Sequence, residues 1–241
     1  MPRGGGTAMA IGNAGSDSAV ELDLTGLAGV TSYQPADLTV SLAAGTRVAD
    51  LLATLAEQGQ ELPIDIALPS VATIGGLMAT GFAGPRRLGS GTLKDLILGC
   101  TYVRGDGLVA KAGGSVVKNV SGFEIPRLLH GSWGSLAVIT SINFKVTPIP
   151  KSEVTRHWSV DSIEMAVEQA QKIRHQFASV VSIEVDSSNG AASVLVRLMG
   201  RPGALAAQTE ELGDLFGQAT TIAGEESRLF WQSRVDRFAT C

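Results

Sequence analysis

The sequence predicts an α+β protein in two parts, a glycine-rich domain over residues 1–150 and a smaller α+β domain over residues 151–241. Three observations predict it. Glycines cluster where strand-like runs give way to helix-like ones, at Arg3-Gly4-Gly5-Gly6-Thr7, at Thr73-Ile74-Gly75-Gly76, and from Gly113-Gly114 to Gly131-Ser132-Trp133-Gly134-Ser135. Pro148-Ile149-Pro150 then marks a boundary, because two prolines so close cannot continue a central strand. Beyond it the order strand, helix, strand, strand, helix fits a ferredoxin-like half-sandwich.

Strand-like runs open the first part at Val20 to Leu24 and Leu38 to Leu42. Thr46 suits the N-cap of a helix whose buried stripe is Val48, Leu51, Leu52 and Leu55, with Gly59 as its stop. Gly105-Asp106-Gly107 joins Ile97 to Arg104 and Leu108 to Lys111 as a hairpin. From Leu136 to Val146 the alternation places Leu136, Val138, Ile142, Phe144 and Val146 on one face and Ser141, Asn143 and Lys145 on the other. In the second part a strand over Val154 to Val160 precedes a helix capped by Asp161, with Ile163, Ala166, Val167, Ala170, Ile173 and Phe177 at helical spacing. Val181, Ile183 and Val185 alternate along a strand and Val194, Val196 and Leu198 along the next, with a turn at Ser187 to Gly190. Helices over Gly203 to Phe216 and Glu225 to Phe238 complete the pattern, with no strand expected after the last one.

Composition removes several function classes. A net charge of -4 without a Lys/Arg cluster lacks the electrostatic footprint of nucleic-acid binding. Cys100 and Cys241 form neither a disulfide framework nor a metal-binding spacing, so no metal and a reducing, cytoplasmic compartment are expected. Ile66 to Pro85 carries few large apolar side chains and is broken by Pro69, Pro85 and four glycines until its end, which argues against a transmembrane segment.

Interior glycines each cost roughly 0.5–1 kcal/mol relative to alanine, so these runs need a use. Consecutive N–H groups without Cβ atoms can converge on an anion, and three such loops suggest a large polyanionic cofactor. In Pro69-Ser70-Val71-Ala72-Thr73-Ile74-Gly75-Gly76 the proline sets a turn, Thr73 caps a helix, and bare N–H groups would face a phosphate. Close helix packing would explain the same two glycines. Lys118 and Asn119 could donate to a ligand, or simply belong to a turn beside Gly122.

The stretch Lys118-Asn119-Val120-Ser121-Gly122-Phe123-Glu124, followed by Gly131-Ser132-Trp133-Gly134-Ser135-Leu136, resembles the FAD-binding domain of the p-cresol methylhydroxylase and vanillyl-alcohol oxidase superfamily, the PCMH-type flavoproteins. Gly81-Phe82-Ala83-Gly84-Pro85-Arg86-Arg87 and Gly91-Thr92-Leu93-Lys94-Asp95-Leu96-Ile97-Leu98-Gly99 look most like the FAD-binding subunit of glycolate oxidases. The resemblance covers Pro2 to about Pro150. It implies a two-subdomain PCMH-type fold and a partial ferredoxin-like cap domain. Because the first motif begins at residue 2 and no strand is expected at the end, both domains are expected to be incomplete, and the first loop to be poorly placed without an upstream strand.

The resemblance further implies that Arg3, Gly4, Gly5, Gly6 and Thr7, together with Pro69, Ser70, Thr73, Ile74, Gly75 and Gly76, wrap the FAD pyrophosphate. Gly81 and Gly84 would pass close to the cofactor, Lys118 and Asn119 would donate to the flavin or its ribityl chain, and Ile139 would lie near the adenine. Thr7 stands where covalent members tend to place a histidine, so the FAD is expected to be non-covalent. Departures from the family pattern are Phe123 and Glu124 for Tyr-Asp, Trp133 for an acidic or aliphatic residue, and Ala137 for glycine.

Oxidation of a 2-hydroxy acid needs a hydride acceptor, a base and usually a cation for the carboxylate. The sequence names no base, so the catalytic residues stay unassigned. His157 and His175 read as exposed residues of the second domain, and His130 reads as a packing residue. Arg86 and Arg87 could meet a carboxylate or phosphate, or form a solvated pair. Two functions therefore stand open. One is an FAD-dependent oxidoreductase subunit acting on glycolate, D-lactate or a similar 2-hydroxy acid, with other oxidase subunits as partners and any membrane association made through them. The other is a flavin-carrying or structural subunit whose partner performs the chemistry.

Overall fold

The computed structural model describes residues 1–11, 20–114, 124–187 and 192–237. They divide into two units, Met1–Ala83 with Thr92–Ile149, and Gly84–Gly91 with Pro150–Arg237.

In the first unit β1 (Pro2–Arg3) pairs in parallel with β2 (Leu22–Asp23). The strand expected from Val20 to Leu24 is thus only two residues long. This pairing flanks the first glycine loop. β3 (Val30–Gln34) was not anticipated, since its side chains are mostly exposed and show no alternation. It pairs with β4 (Thr39–Ala43), and α1 (Val48–Ala56) follows. Arg47, not Thr46, is the N-cap of α1. Thr46 is buried, its hydroxyl bridging Ala43 and Gly29, so the tertiary contact claims the side chain that a helix end would have used.

Next come β5 (Gln60–Glu61), α2 (Ile74–Thr80), the short α3 (Arg87–Ser90) of the second unit, β6 (Ile97–Val103), β7 (Val109–Gly113), α4 (Ile125–Leu129), β8 (Val138–Lys145) and β9 (Thr147–Pro148). The main sheet runs β3-β4-β8-β6-β7, entirely antiparallel. Val48, Leu51 and Leu55 of α1 and Ile74, Leu77 and Met78 of α2 bury against Leu42, Ile142 and Phe144 of this sheet. Leu136 lies outside the strand and is exposed, contrary to the alternation. The register shifts between Thr101 and Tyr102 opposite β8, and such a slip exchanges the faces; Ile139, not Val138, is therefore buried.

The second unit continues with β10 (Ser152–Val160), α5 (Ile163–Gln176), β11 (Val180–Asp186), β12 (Ala192–Gly200), α6 (Pro202–Phe216), β13 (Thr220–Ala223) and α7 (Gly224–Arg237). Its sheet order is β11-β12-β10-β13, the ferredoxin-like arrangement. β13, which lies between α6 and α7, was not anticipated: four residues preceding a helix gave too short a pattern to read. Ser162, rather than Asp161, caps α5, accepting a hydrogen bond from the Met165 N–H. One face of the sheet is apolar, with Trp158, Val194, Val196 and Leu198 packed on Ile173, Leu205 and Leu212 of α5 and α6. The opposite face is polar. There Glu153 accepts from Arg197 (2.9 Å) and Ser227 (2.8 Å), and Trp231 of α7 donates to Thr155 at 2.8 Å.

Candidate cofactor site

Three backbone segments of the first unit build the site, and glycine matters in each for a different reason. β1 delivers the first loop directly onto the second: a Cβ on Gly4 would stand 2.0 Å from Thr73 Oγ1, and one on Gly5 would stand 1.8 Å from the Val71 carbonyl oxygen. Gly6 then turns at φ +75. Among the described residues, no group accepts a hydrogen bond from the N–H of Gly4, Gly5, Gly6 or Thr7. Consecutive unengaged N–H groups in a turn form a concavity suited to an anion. Arg3 begins the loop, half-exposed and paired with Glu21 at 2.6 Å.

The second segment corrects the sequence reading. Ile74 N donates to Thr46 O at 3.0 Å, Gly75 N to Ala44 O at 2.7 Å, and Gly76 N to the hydroxyl of the N-cap Thr73 at 3.3 Å. The first donors of α2 are therefore engaged within the protein and are not bare groups awaiting a phosphate. Gly75 lacks a side chain for packing, since its Cβ would stand 2.8 Å from that of Ala44, whereas a Cβ on Gly76 would meet only Thr73 Oγ1, at 3.2 Å.

The third segment closes the other end of α2. Gly81 caps the helix at φ +66, Gly131 N donates to Met78 O at 3.0 Å, and Trp133 N donates to Ala79 O at 2.8 Å. The glycine turn at 131–134 thus satisfies carbonyls that the helix end leaves without partners. His130 lies against Gly81, 3.1 Å from where a Cβ would sit. Burial first, and then the charge of Lys94, lowers the His130 pKa, against a smaller opposing pull from Asp95.

Together these segments enclose a cavity of about 920 Å³. That volume is at the upper end of the roughly 300–1,000 Å³ usual for small-molecule and cofactor sites. Arg3, Gly4, Gly5, Gly6, Thr7, Thr73, Gly75, Gly76 and Ile139 line it, with Ile66, Leu77, Phe82, Trp133 and Ala137 as its apolar wall. Several expected residues do not. Pro69 is engaged through its carbonyl with Ala49 N, Ser70 is exposed, Ile74 is buried in the core, and Gly81 packs on the His130 turn. Gly84 belongs to the second unit, as do Arg86 and Arg87; Arg86 is buried rather than half of a solvated pair. Lys118 and Asn119 lie outside the described residues. The sequence reading missed the apolar wall, although Trp133 between Gly131 and Gly134 was a visible signal.

A row of free amides beside an apolar chamber suits a ligand that joins phosphates to flat rings. Residues 1–113 match the FAD binding domain family. The N-terminal half of this chain is an FAD binding domain. FAD is its cofactor, and the fold is of the PCMH type.

Among curated relatives, glycolate oxidase subunit GlcE of Escherichia coli (strain K12) is 32% identical over 212 residues, 88% of this chain and 57% of that protein. A D-lactate dehydrogenase of Anaerostipes hadrus is 31% identical over 64% of this chain and 32% of its own length. The chain thus spans about a third to somewhat over half of these relatives. Among solved structures, an alkyldihydroxyacetonephosphate synthase superposes with a TM-score of 0.78 over 100% of this chain and 50% of its own, at 17% identity, which shows the shared fold. Among the described residues no helix is long and apolar enough to cross a membrane, and no side-chain cluster could hold a metal ion.

Proposed function

We propose that this chain is the FAD-binding part of an oxidoreductase that oxidises glycolate, D-lactate or a similar 2-hydroxy acid together with other oxidase subunits, in the cytoplasm or peripheral to a membrane through those subunits. The observation that carries the proposal is the cavity itself, with four unengaged N–H groups on one side and an apolar wall on the other. The names of the relatives supply the substrate class. Flavin supplies a hydride acceptor at N5. In this reading Gly4 to Thr7 hold phosphate oxygens, Arg3 adds positive charge, and Ile66, Phe82 and Ile139 keep water from the ring.

One observation favours the second reading, a flavin-carrying subunit whose partner handles the substrate. Arg3 is the one ionisable side chain among the described residues that line the cavity, and a guanidinium does not serve as the base for the hydroxyl proton. The deciding experiment is anaerobic reduction of the purified yellow protein. Bleaching by glycolate or D-lactate alone supports a self-sufficient oxidoreductase chain, and bleaching only with a partner subunit supports the flavin-carrying reading. No bleaching by any 2-hydroxy acid in either setting overturns both.

A further inference from the structure

Trp133 sits in a backbone conformation that its side chain opposes. Its φ is +56, in the left-handed region where a bulky residue is strained. In this turn the Trp133 N–H reaches the Ala79 carbonyl and Gly134 lies against Pro2, 2.7 Å from where a Cβ would sit. Glycine or asparagine would make the same turn with less strain. Nor does the indole recover the cost by burial. It is 51% exposed and belongs to neither hydrophobic core, whereas Leu38, which also has a positive φ, packs against the first core.

Trp133 is instead one of the residues that line the cavity. Its backbone is held at the chamber wall by the hydrogen bond to Ala79, and its large flat π-surface remains half exposed. An aromatic face left open beside a site for a ring-bearing cofactor is a stacking platform.

We infer that Trp133 is a cofactor-positioning residue, its indole stacking on one of the two flat ring systems of FAD. The inference rests on the cavity being the FAD site. It assigns a use to a side chain that departs from the family pattern, and it predicts that the strained residue contributes to holding the cofactor rather than to holding the fold.

The test compares wild-type protein with Trp133→Gly and Trp133→Phe, measuring thermal unfolding of the apoprotein, FAD affinity by titration, and emission of the bound flavin. Trp133→Gly is expected to melt at or above the wild-type temperature, because it relieves the strain, while binding FAD roughly tenfold more weakly, the scale of one base–aromatic stack. Trp133→Phe keeps a π-face and should retain most of the affinity. A rise in flavin emission in the glycine variant places the indole on the isoalloxazine, and unchanged emission with weakened binding places it on the adenine. Equal affinity in wild type and Trp133→Gly overturns the inference alone. A wild-type protein that takes up no FAD overturns the cavity assignment and this inference with it.

Discussion

Gly75 and Gly76 are neighbours in the chain but lack a side chain for different reasons. Gly75 sits on Ala44, so Gly75→Ala should destabilise the apoprotein by about 1–3 kcal/mol, the usual cost of overpacking. Gly76 lines the cavity with only Thr73 Oγ1 nearby, so Gly76→Val should cost the apoprotein less than about 1 kcal/mol while sharply lowering FAD affinity. Denaturant unfolding and flavin titration of both variants separate the two roles; equal stability losses would show that Gly76 is also a packing residue. Cys100 offers a pH-dependent prediction. Burial pushes its thiol up to about 11, so the folded state keeps the proton that the unfolded chain releases nearer 9. Its contribution to stability is present below that lower value and is lost as pH rises towards the folded one. In a Cys241→Ser background, Cys100 should resist alkylation at pH 8 until the protein is unfolded, and rapid native labelling would contradict its burial. The glycine clusters were legible in the sequence, but which neighbour each glycine serves was not, because Ala44, Thr73 and Val71 come into contact only through the fold.

At the scale of elements, helices with strong amphipathic stripes were readable, as the buried Val48, Leu51 and Leu55 of α1 show. Short and edge strands were not, because β1, β2 and β13 have too few residues to display a period, and their pairing is set by distant partners. α7 illustrates a further limit. It docks on the second sheet through Ser227, Trp231 and Val235, above the buried ion pair of Glu153 and Arg197, with Arg197 lying over the Trp231 ring. Arg197→Met would leave the fully buried Glu153 carboxylate without its main counter-charge, a loss of about 3–5 kcal/mol. Protection of α7 amides in hydrogen exchange should fall along with the unfolding free energy of the second unit. A double variant, Arg197→Met with Glu153→Leu, should regain much of that loss; failure to do so would mean that the pair matters for more than mutual neutralisation.

For the whole molecule, the prediction concerns how the cofactor is held. Histidine, cysteine and tyrosine, the side chains able to attack a flavin ring position covalently, are all absent from the described residues that line the cavity. Acid precipitation should therefore release all the flavin into the supernatant, and colour retained in the pellet would refute non-covalent binding. By itself the sequence determined the α+β fold class and, through its resemblance to PCMH-type flavoproteins, the cofactor, because glycine runs and hydrophobic periods are local properties. It also identified Trp133 as a departure without showing its consequence. Only the tertiary structure decided that the α2 amides are engaged at home, that the amides of Gly4 to Thr7 meet no acceptor among the described residues, and that Ile139 rather than Val138 turns inward. Hydrogen-bond satisfaction and strand register depend on partners far away in the chain, and the fold alone brings those partners together.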